Sequence, residues 1–463
     1  MSEGGRKTRG PGRAPGLRAA VGLLACAVAA SVTVAAGGAA RASSTRLAWT
    51  DRGIHVVGGP VAAGGRVLAL VVAANRSVSL EAFDPKTGAV RWKLPAGFSE
   101  ITAGVETEPL AHDGVALALV PAAAGTALVR IEGVSIATGA VVWRSRLPVL
   151  VSDAPTTCPP PLGARGFCIV AGAAPSSPTG VIALSPKTGA VLATVQNIER
   201  LMGTPAGLYE TYGAQPTLAE VRTPGGPAWS RPVSGWFGAG YDPNYGWNFR
   251  RYGSLEVGSV GNKPAGRTID LAASKTVGIS QATGEPVWTK PGAFQCFGSA
   301  GEQAPYLCLL SGTATPTAAG GLTTSKNATL TLEGLDPRTG RITWRRPAGA
   351  IADELLGNVA VDGATGQVVT SSRGRKLVLD LRSGTTRVPG AREAFWCARF
   401  NLFKIRPANG LSAERVGSSL YTPCNAGKHT VATVAPPSSV AGATVGRLFV
   451  WASPEGLEAV VRR

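Results

Sequence analysis

The chain contains 463 residues, of which 61 are glycine and 34 are proline, and its formal net charge is +18. Beyond the N-terminal region no Lys/Arg run of nucleic-acid-binding length occurs, and no recognised nucleic-acid module is present, so the charge does not predict a nucleic acid partner. A basic surface suits an anionic cell-envelope polymer or lipid headgroups. The alternative is that the Ala/Gly/Arg-rich composition reflects a GC-rich genome.

The first predicted element is an N-terminal signal peptide or membrane anchor, residues 1–42. An apolar run at 19–36 follows a basic flank, and Ala40-Arg41-Ala42 is similar to a signal cleavage site. The flank predicts a cytoplasmic N-terminus and an exported remainder, tethered to the membrane if the segment is not cleaved. Cys26 ends a lipobox-like LLAC, but the apolar run continues beyond it, which favours a small apolar residue of the signal over a lipidation site. The basic residues of the flank are Arg6, Lys7, Arg9, Arg13 and Arg18.

Residues 43–463 are predicted to form one domain whose two ends pair. Its first strand is in TRLAWT, at 45–50, and the chain ends with RLFVWASPEGLEAVVRR, which supplies two strands and no third. Pairing 47–49 beside 457–461 would complete the last sheet and remove two exposed sheet edges.

The segment LEAFDPKTGAVRWKLP, at 80–95, predicts a strand, a tight turn and a second strand. Asp84 and Pro85 suit the first two positions of a type I turn, because an Asp side chain accepts turn N–H groups and Pro presets φ. Gly88 supplies the positive φ at which the chain reverses. A close copy, LEGLDPRTGRITWRRP, stands at 332–347.

The spacing of four residues from the turn glycine to a tryptophan recurs along the chain. Two weaker copies, at Gly189 and Gly384, keep the turn without the tryptophan, and the seven turns are 36 to 59 residues apart. Such a period is typical of repeat architectures. The full pairs are Gly88/Trp92, Gly139/Trp143, Gly225/Trp229, Gly284/Trp288 and Gly340/Trp344.

The segments between the turns are short apolar or β-branched runs broken by glycine, with no helical period. Three to four strands per repeat predict an all-β propeller with eight blades. Seven blades is the alternative count, because residues 384–463 are long and irregular.

A binding site is predicted in GWFGAGYDPNYGWNFRRYG, at 235–253, where aromatic residues surround an arginine pair. Aromatic and Arg enrichment is typical of interface hot spots, and the Gly/Pro/Asn content favours a loop. The alternative is that the rings fill the junction between the fourth and fifth blades. The predicted binding residues are Trp236, Tyr241, Tyr245, Trp247, Arg250 and Arg251.

Six cysteines beyond Cys26 fall into three local pairs along the sequence. Local pairing would join neighbouring strands, and an even count in an exported protein favours disulfides. The spacings are too wide for a zinc site. The predicted pairs are Cys158 with Cys168, Cys296 with Cys308 and Cys397 with Cys424.

No local motif predicts catalysis, a cofactor or a metal. His55, His112 and His429 are scattered without a ligand partner at helical or hairpin spacing. G-x-S-x-G, the P-loop pattern and H-E-x-x-H are absent.

The pattern A-x-D-x-x-T-G-x-x-x-W, met by Ala82, Asp84, Thr87, Gly88 and Trp92, resembles the repeat of the pyrroloquinoline quinone (PQQ)-like propellers. The resemblance covers nearly all of residues 45–463 and implies that the repeat tryptophans dock adjacent blades together. That family contains quinone-dependent dehydrogenases and non-catalytic scaffolds, such as the propeller lipoprotein of the outer-membrane barrel-assembly machinery.

The family's dehydrogenases commonly carry an adjacent Cys-Cys pair against the quinone, and this sequence has none. We therefore expect an exported, non-catalytic interaction or scaffold domain at the cell envelope, with an envelope or membrane protein as its partner. The alternative is a PQQ-dependent dehydrogenase.

Overall fold

A computed structural model describes residues 46–101, 107–123, 126–158, 162, 166–173, 179–196, 198–201, 208–211, 217–220, 229–238, 241, 247–260, 268–291, 306–316, 322–324, 328–350, 360–362, 367–372, 375–380, 382–388, 396–405, 415–423 and 440–462. The chain divides into two compact units, Met1–Arg41 and Ala42–Arg463, and the described residues all lie in the second. The predicted export segment and its boundary therefore lie outside the described residues.

Strands dominate the described structure, and the all-β prediction is confirmed. The first strand is β1 (Arg46–Arg52). It is followed by seven sheets, here called blades 1 to 7, in which successive strands pair antiparallel. Blade 1 contains β2 (His55–Ala63), β3 (Arg66–Val72), β4 (Val78–Phe83) and β5 (Val90–Ala96). Blade 2 contains β6 (Ala111–His112), β7 (Val115–Pro121), β8 (Val129–Ser135) and β9 (Val141–Arg144).

Blades 3 to 5 continue the pattern. Blade 3 contains β10 (Leu150–Val151), β11 (Thr156–Thr157), β12 (Phe167–Gly172), β13 (Gly180–Leu184) and β14 (Val191–Gln196). Blade 4 contains β15 (Ile198–Leu201), β16 (Leu208–Thr211), β17 (Thr217–Glu220) and β18 (Ser230–Pro232), and the helix α1 (Val233–Phe237) follows it. Blade 5 contains β19 (Trp247–Tyr252), β20 (Leu255–Val260), β22 (Lys275–Ser280) and β23 (Pro286–Pro291), with a 3₁₀ helix (Leu271–Ala273) before β22.

Blades 6 and 7 complete this series. Blade 6 contains β24 (Tyr306–Ser311), β27 (Thr329–Leu335) and β28 (Ile342–Ala350). Blade 7 contains β29 (Ala360–Asp362), β30 (Gln367–Ser372), β31 (Arg375–Asp380) and β32 (Thr386–Arg387). A small sheet joins insertions of blades 5 and 6 through β21 (Ile269–Asp270), β25 (Thr313–Pro316) and β26 (Leu322–Thr324). A hairpin follows blade 7 and consists of β33 (Trp396–Lys404) and β34 (Arg415–Pro423).

The last sheet, blade 8, is built from both ends of the described chain. It has the order β1-β37-β36-β35, where the C-terminal strands are β35 (Gly442–Val445), β36 (Leu448–Ser453) and β37 (Gly456–Val461). Leu47 lies opposite Val460 and Asp51 opposite Leu457, with a bulge between Leu47 and Trp49. The predicted pairing of 47–49 with the C-terminal strand is therefore confirmed. A total of eight blades and a closed ring stay predictions.

The core lies between the faces of neighbouring blades. One buried cluster contains Leu68 of blade 1, Ile131 of blade 2 and Phe167 of blade 3. A second joins Val67 of blade 1 to Leu457 of blade 8. Both faces of an inner strand such as β3 are covered, and its residues from Val67 to Val72 are all apolar and buried. In an outer strand such as β5, exposed residues alternate with partly buried ones.

Candidate functional site

The repeat tryptophans dock onto the turn of the next blade. The indole N–H of Trp92 donates to the carbonyl of Ile136 at 2.8 Å, and its ring lies on Gly139. In every docked pair with this hydrogen bond, the acceptor is three residues before the turn glycine. The other acceptors are Pro85 for Trp49, Pro186 for Trp143, Gln281 for Trp229 and Pro337 for Trp288. Trp344 lies in the same way on Gly384.

Each turn glycine is required for two reasons. Gly139 has φ +76°, which L side chains rarely adopt, and a Cβ atom there would lie 2.7 Å from Cγ of Trp92. The positive φ could be predicted from the sequence of the turn. The close approach of a ring from another blade could not, because the tryptophan is distant in sequence. The geometry agrees with the docking role implied by the family resemblance. Gly225 lies outside the described residues.

Trp49 is a further docking residue, and it is not among those predicted from the repeat. Its indole N–H donates to the Pro85 carbonyl at 2.8 Å, and its ring covers Gly88. The sequence did contain a signal for this role. Trp49 lies in a strand without neighbours at the start of the domain, and the C-terminal segment contains inner strands that lack an outer strand.

In two of the described repeats, the docking position is not occupied by a tryptophan. Ala193 in blade 3 and Val388 after blade 7 occupy the position four residues after the turn glycine. Val388 is 72% exposed. Among the described residues, tryptophans therefore link blades 8, 1, 2 and 3 into one series and blades 4, 5, 6 and 7 into another.

Buried glutamates form a second repeated feature that was missed. Each lies in the strand that precedes the outer strand of its blade and pairs with the Lys or Arg that directly follows the docking tryptophan. The side chains of Glu81, Glu132 and Glu333 are 4%, 5% and 2% exposed. The constant spacing of twelve residues from Glu to Lys or Arg could have found these pairs. They are Glu81–Lys93 at 2.7 Å, Glu132–Arg144 at 2.5 Å and Glu333–Arg345 at 2.6 Å.

The turn aspartates are held in their charged form. Hydrogen bonds from the Arg91 side chain and the Lys86 backbone N–H lower the pKa of Asp84 from its usual 3.8 to about 2. The Thr339 hydroxyl and the Arg338 N–H lower the pKa of Asp336 in the same way.

We expect the contribution of Asp84 to stability to disappear in acid. A carboxyl whose pKa is lowered by folding stabilises the protein above its ordinary pKa, and this contribution is lost as the pH falls from about 4 to about 2. The difference in unfolding free energy between the wild type and Asp84→Asn should therefore shrink across that window in denaturant titrations. A difference that stays constant from pH 5 to pH 2 would contradict this role.

The start of the predicted binding segment packs against blade 5. Helix α1 begins after Pro232 and ends at Gly238, whose N–H donates to the Ser234 carbonyl at 2.8 Å. Trp236 and Phe237 are 5% and 0% exposed. The Trp236 indole donates to the Gly284 carbonyl at 3.1 Å, so a second indole ring covers the turn that Trp229 already contacts.

Burial therefore supports the packing alternative for Trp236, which is not available to a partner.

Tyr241 is half-buried and donates its hydroxyl to the Ala273 carbonyl, while Lys275 lies 4.8 Å from the centre of its ring. Burial first, and then the charge of Asp270, raise the pKa of the Tyr241 hydroxyl.

The end of the segment is a strand, and the predicted loop is wrong there. Trp247, Arg250 and Arg251 lie in β19, where Trp247 is opposite Val260 and Arg250 is opposite Val257. Pairing with β20 along all six residues of β19, three of which are aromatic, overrides the turn-forming residues that precede the strand. Tyr245 lies outside the described residues.

One predicted disulfide is present. Cys158 and Cys168 are bonded across β11 and β12, with their Cα atoms 4.9 Å apart. Cys168 lies opposite Thr156, so its partner is two residues beyond the directly opposite position. Cys397 lies opposite Thr422, and Cys424 follows Thr422 by the same two residues in the sequence. Cys296 and Cys424 lie outside the described residues.

Non-reducing peptide mapping of the protein, purified without reducing agent, is expected to recover all three predicted pairs. Replacing Cys158 and Cys168 by serine should lower the free energy of unfolding by about 3 kcal/mol, because the bond closes a short loop in the unfolded chain. Free thiols at Cys397 and Cys424, or pairing between the three sets, would contradict this.

The two described histidines contact an aromatic ring and a hydroxyl group. His55 stacks on Phe403 with ring centres 4.9 Å apart, and His112 lies 2.8 Å from the Thr157 hydroxyl. His429 lies outside the described residues. Within the part of the chain that the structure describes, no group of three or more His, Cys, Asp or Glu could hold a metal ion. No described helix has the length and apolar character needed to cross a membrane.

The repeated sheets and tryptophan docks define a PQQ-like β-propeller. A family profile described as "Outer membrane protein assembly factor BamB" (PQQ_2) matches residues 22–148, 79–235 and 178–413. The chain belongs to this family. No curated protein matches it significantly.

Several solved structures are similar in fold. BamB from Moraxella catarrhalis is 14% identical, with 74% of this chain and 92% of that chain covered and a TM-score of 0.35. A europium-containing methanol dehydrogenase is 11% identical, with 78% and 86% covered and a TM-score of 0.42. Quinohemoprotein alcohol dehydrogenase from Comamonas testosteroni is 11% identical, with 81% and 76% covered and a TM-score of 0.43. At identities of 11–14%, these similarities indicate a shared fold and nothing about function.

Proposed function

We propose that the chain is an exported, non-catalytic propeller that acts as a protein-interaction scaffold at the cell envelope. The observation that carries this proposal is membership of a family described as an outer-membrane protein assembly factor, matched between residues 22 and 413. An assembly factor acts by holding other proteins, and propellers present many loops and strand edges from one rigid body.

Two features support export. The basic flank and apolar run within residues 1–42 have the pattern of a signal peptide or an anchor. The Cys158–Cys168 bond is of a kind that persists in oxidising compartments outside the cytoplasm. We propose that the domain lies at the outer face of the plasma membrane, secreted or tethered by its N-terminal segment. The net charge of +18 would also favour an anionic envelope polymer near the protein.

We propose that an envelope or membrane protein binds the later part of the aromatic segment, through Tyr241, Tyr245, Trp247, Arg250 and Arg251. Trp236 serves the packing of blade 5. Replacing Trp247 or Arg250 by Ala is expected to change the free energy of unfolding by less than about 1 kcal/mol and to weaken partner capture.

The test is cross-linking and affinity capture from envelopes of the native host, comparing Trp247→Ala and Arg250→Ala with Val142→Ala. Val142 lies on an outer strand and is 50% exposed, so its variant controls for the handling of a mutant protein. Capture that is unchanged in both test variants would remove the segment from the interface. Destabilisation of Trp247→Ala by several kcal/mol would make Trp247 a packing residue.

A second experiment tests the non-catalytic assignment. Purified protein is supplied with PQQ and Ca²⁺, and dye-linked oxidation of alcohols and sugars is followed. We expect no turnover and no binding of the quinone by equilibrium dialysis. Quinone-dependent dye reduction that is absent from heat-denatured protein would overturn the scaffold function in favour of a dehydrogenase.

A further inference from the structure

Glu458 in β37 is a fourth member of the series of buried glutamates. It is 7% exposed and, like the others, lies in the strand that precedes the outer strand of its blade. The repeat therefore places the same buried carboxyl group in blade 8. The equivalent local sequences are LEAF at 80–83, IEGV at 131–134, LEGL at 332–335 and LEAV at 457–460.

The cation that accompanies the other glutamates is missing in blade 8. Glu81, Glu132 and Glu333 each lie directly opposite a basic residue of the outer strand. Glu458 lies directly opposite Thr50 of β1. In blades 3, 4 and 5 the glutamate and the cation are both absent, so blade 8 alone among the described pairs keeps the glutamate without the cation. The uncharged pairs are Ile182 with Thr194, Ala219 with Ser230 and Val277 with Thr289.

A neutral hydroxyl group takes the place of the cation. The Ser453 hydroxyl donates to Oε1 of Glu458 at 2.8 Å, and Ser453 is itself buried. Arg52 and Glu455 form an ion pair nearby at 3.3 Å, but their side chains are 77% and 62% exposed, so water screens their charges. Burial raises the pKa of Glu458 above its usual 4.5 against the effect of the Ser453 hydrogen bond, while Glu455 raises this pKa and Arg52 lowers it.

The opposite face of the same strand pair carries a second carboxyl group. Asp51 of β1 lies opposite Leu457, which packs towards blade 1, whereas the next residue, Glu458, lies on the other face. Burial, and then the charge of Glu81, raise the pKa of Asp51. Both carboxyl groups of the joint between the chain ends are therefore easier to bury when they are protonated.

The other titratable groups of the neighbouring elements lie apart from Glu458. Strands β35 and β36 contain no charged residue. Arg447 and Arg462 lie at the end of the sheet away from Ser453. His55 of β2 stacks on the ring of Phe403. The described surroundings of Glu458 therefore supply a hydroxyl group and an exposed ion pair, but no buried cation.

We propose that blade 8 is a pH-sensitive joint, in which protonation of Glu458 strengthens the pairing of β1 with β37. A carboxyl whose pKa is raised by folding costs stability while it is charged, and this cost disappears as the pH falls through the raised pKa towards 4.5. The effect is opposite in sign to that of Asp84. Mild acid would therefore hold the two ends of the domain together more firmly, which goes beyond the proposed scaffold function and does not depend on it.

Hydrogen exchange of the purified full chain, followed by mass spectrometry, tests this joint. The protection of the backbone amides of 46–52, corrected for the pH dependence of intrinsic exchange, is compared at about pH 7.5 and about pH 5.5. We expect the wild type to be about threefold or more better protected at the lower pH. Glu458→Gln keeps an acceptor for Ser453 and has no charge, so its protection should be high and equal at both pH values.

Two further variants move the cation. Thr50→Lys gives Glu458 the opposed cation of the other blades, so it should raise the protection of 46–52 at neutral pH and remove the increase in acid. Arg144→Thr is the matched control, because it creates the arrangement of blade 8 in blade 2. Strand β9 should then become better protected in acid, while 46–52 behaves as in the wild type.

Protection of 46–52 that does not rise in acid in the wild type would overturn the proposal. An equal rise in Glu458→Gln would also overturn it, by assigning the effect to Asp51 or His55. Circular dichroism at neutral pH checks that each variant is folded. If Glu458→Gln does not fold, Thr50→Lys decides, and an acid-dependent rise that persists in Thr50→Lys would overturn the proposal.

Discussion

Deleting residues 43–50 is expected to lower the free energy of unfolding by about 5 kcal/mol, at roughly 0.5–1.5 kcal/mol for each backbone hydrogen bond lost between β1 and β37. The deletion removes most of the strand that pairs with Gly456–Val461 and exposes the edge of β37. It also removes Trp49, and with it the ring that covers Gly88 and the hydrogen bond to Pro85.

Urea unfolding of the truncated and complete proteins measures this effect. Leu47→Ala is the control, since that side chain is 39% exposed and its loss leaves the backbone pairing in place. We expect it to change the free energy of unfolding by less than about 1 kcal/mol. An unchanged unfolding curve for the truncated protein would mean that blade 8 does not depend on the N-terminal strand.

Replacing Trp92 by Ala is expected to cost about 3 kcal/mol, as a large-to-small change at a packed position. The ring packs on Gly139 of the next blade, and its N–H satisfies the Ile136 carbonyl at 2.8 Å. Gly139 has no side chain that could move in to fill the space left by the indole.

Two further variants distinguish the loss of packing from the loss of the indole hydrogen bond. Trp92→Phe keeps much of the packing and removes the indole donor, so it should cost about 1 kcal/mol. Val142→Ala, at a 50% exposed position of an outer strand, should cost about 0.5 kcal/mol or less. If Trp92→Ala proved as mild as Val142→Ala in thermal and urea unfolding, the docks would contribute little to joining the blades.

The repeated hairpins could be predicted because their determinants are local. Asp84, Gly88 and Trp92 lie within nine residues, and each has a conformational or packing reason that the turn itself reveals. The pairing of the two ends could also be predicted, since an unpaired strand with a tryptophan at one end matched an incomplete blade at the other.

The aromatic segment was harder because its structure depends on partners distant in sequence. Trp236 is buried by contact with the Gly284 turn, and β19 exists through its pairing with β20. Gly, Pro and Asn lie between these two parts in the sequence, and the composition could not show where the strand begins.

The pairing of β1 with β37 also orders the events of folding. Blades 1 to 7 are each made of neighbouring strands, so each can form as soon as its own residues are available, whereas blade 8 joins Arg46 to Val461. Bringing such distant residues together costs about 5 kcal/mol of chain entropy when the intervening chain is unfolded, and far less once the preceding blades have shortened the gap. The N-terminal strand therefore gains its partner in blade 8 only after the C-terminal strand has been synthesised. In this interval, before Gly456–Val461 are available, β1 has no strand to pair with, and an unpaired strand edge is prone to aggregation.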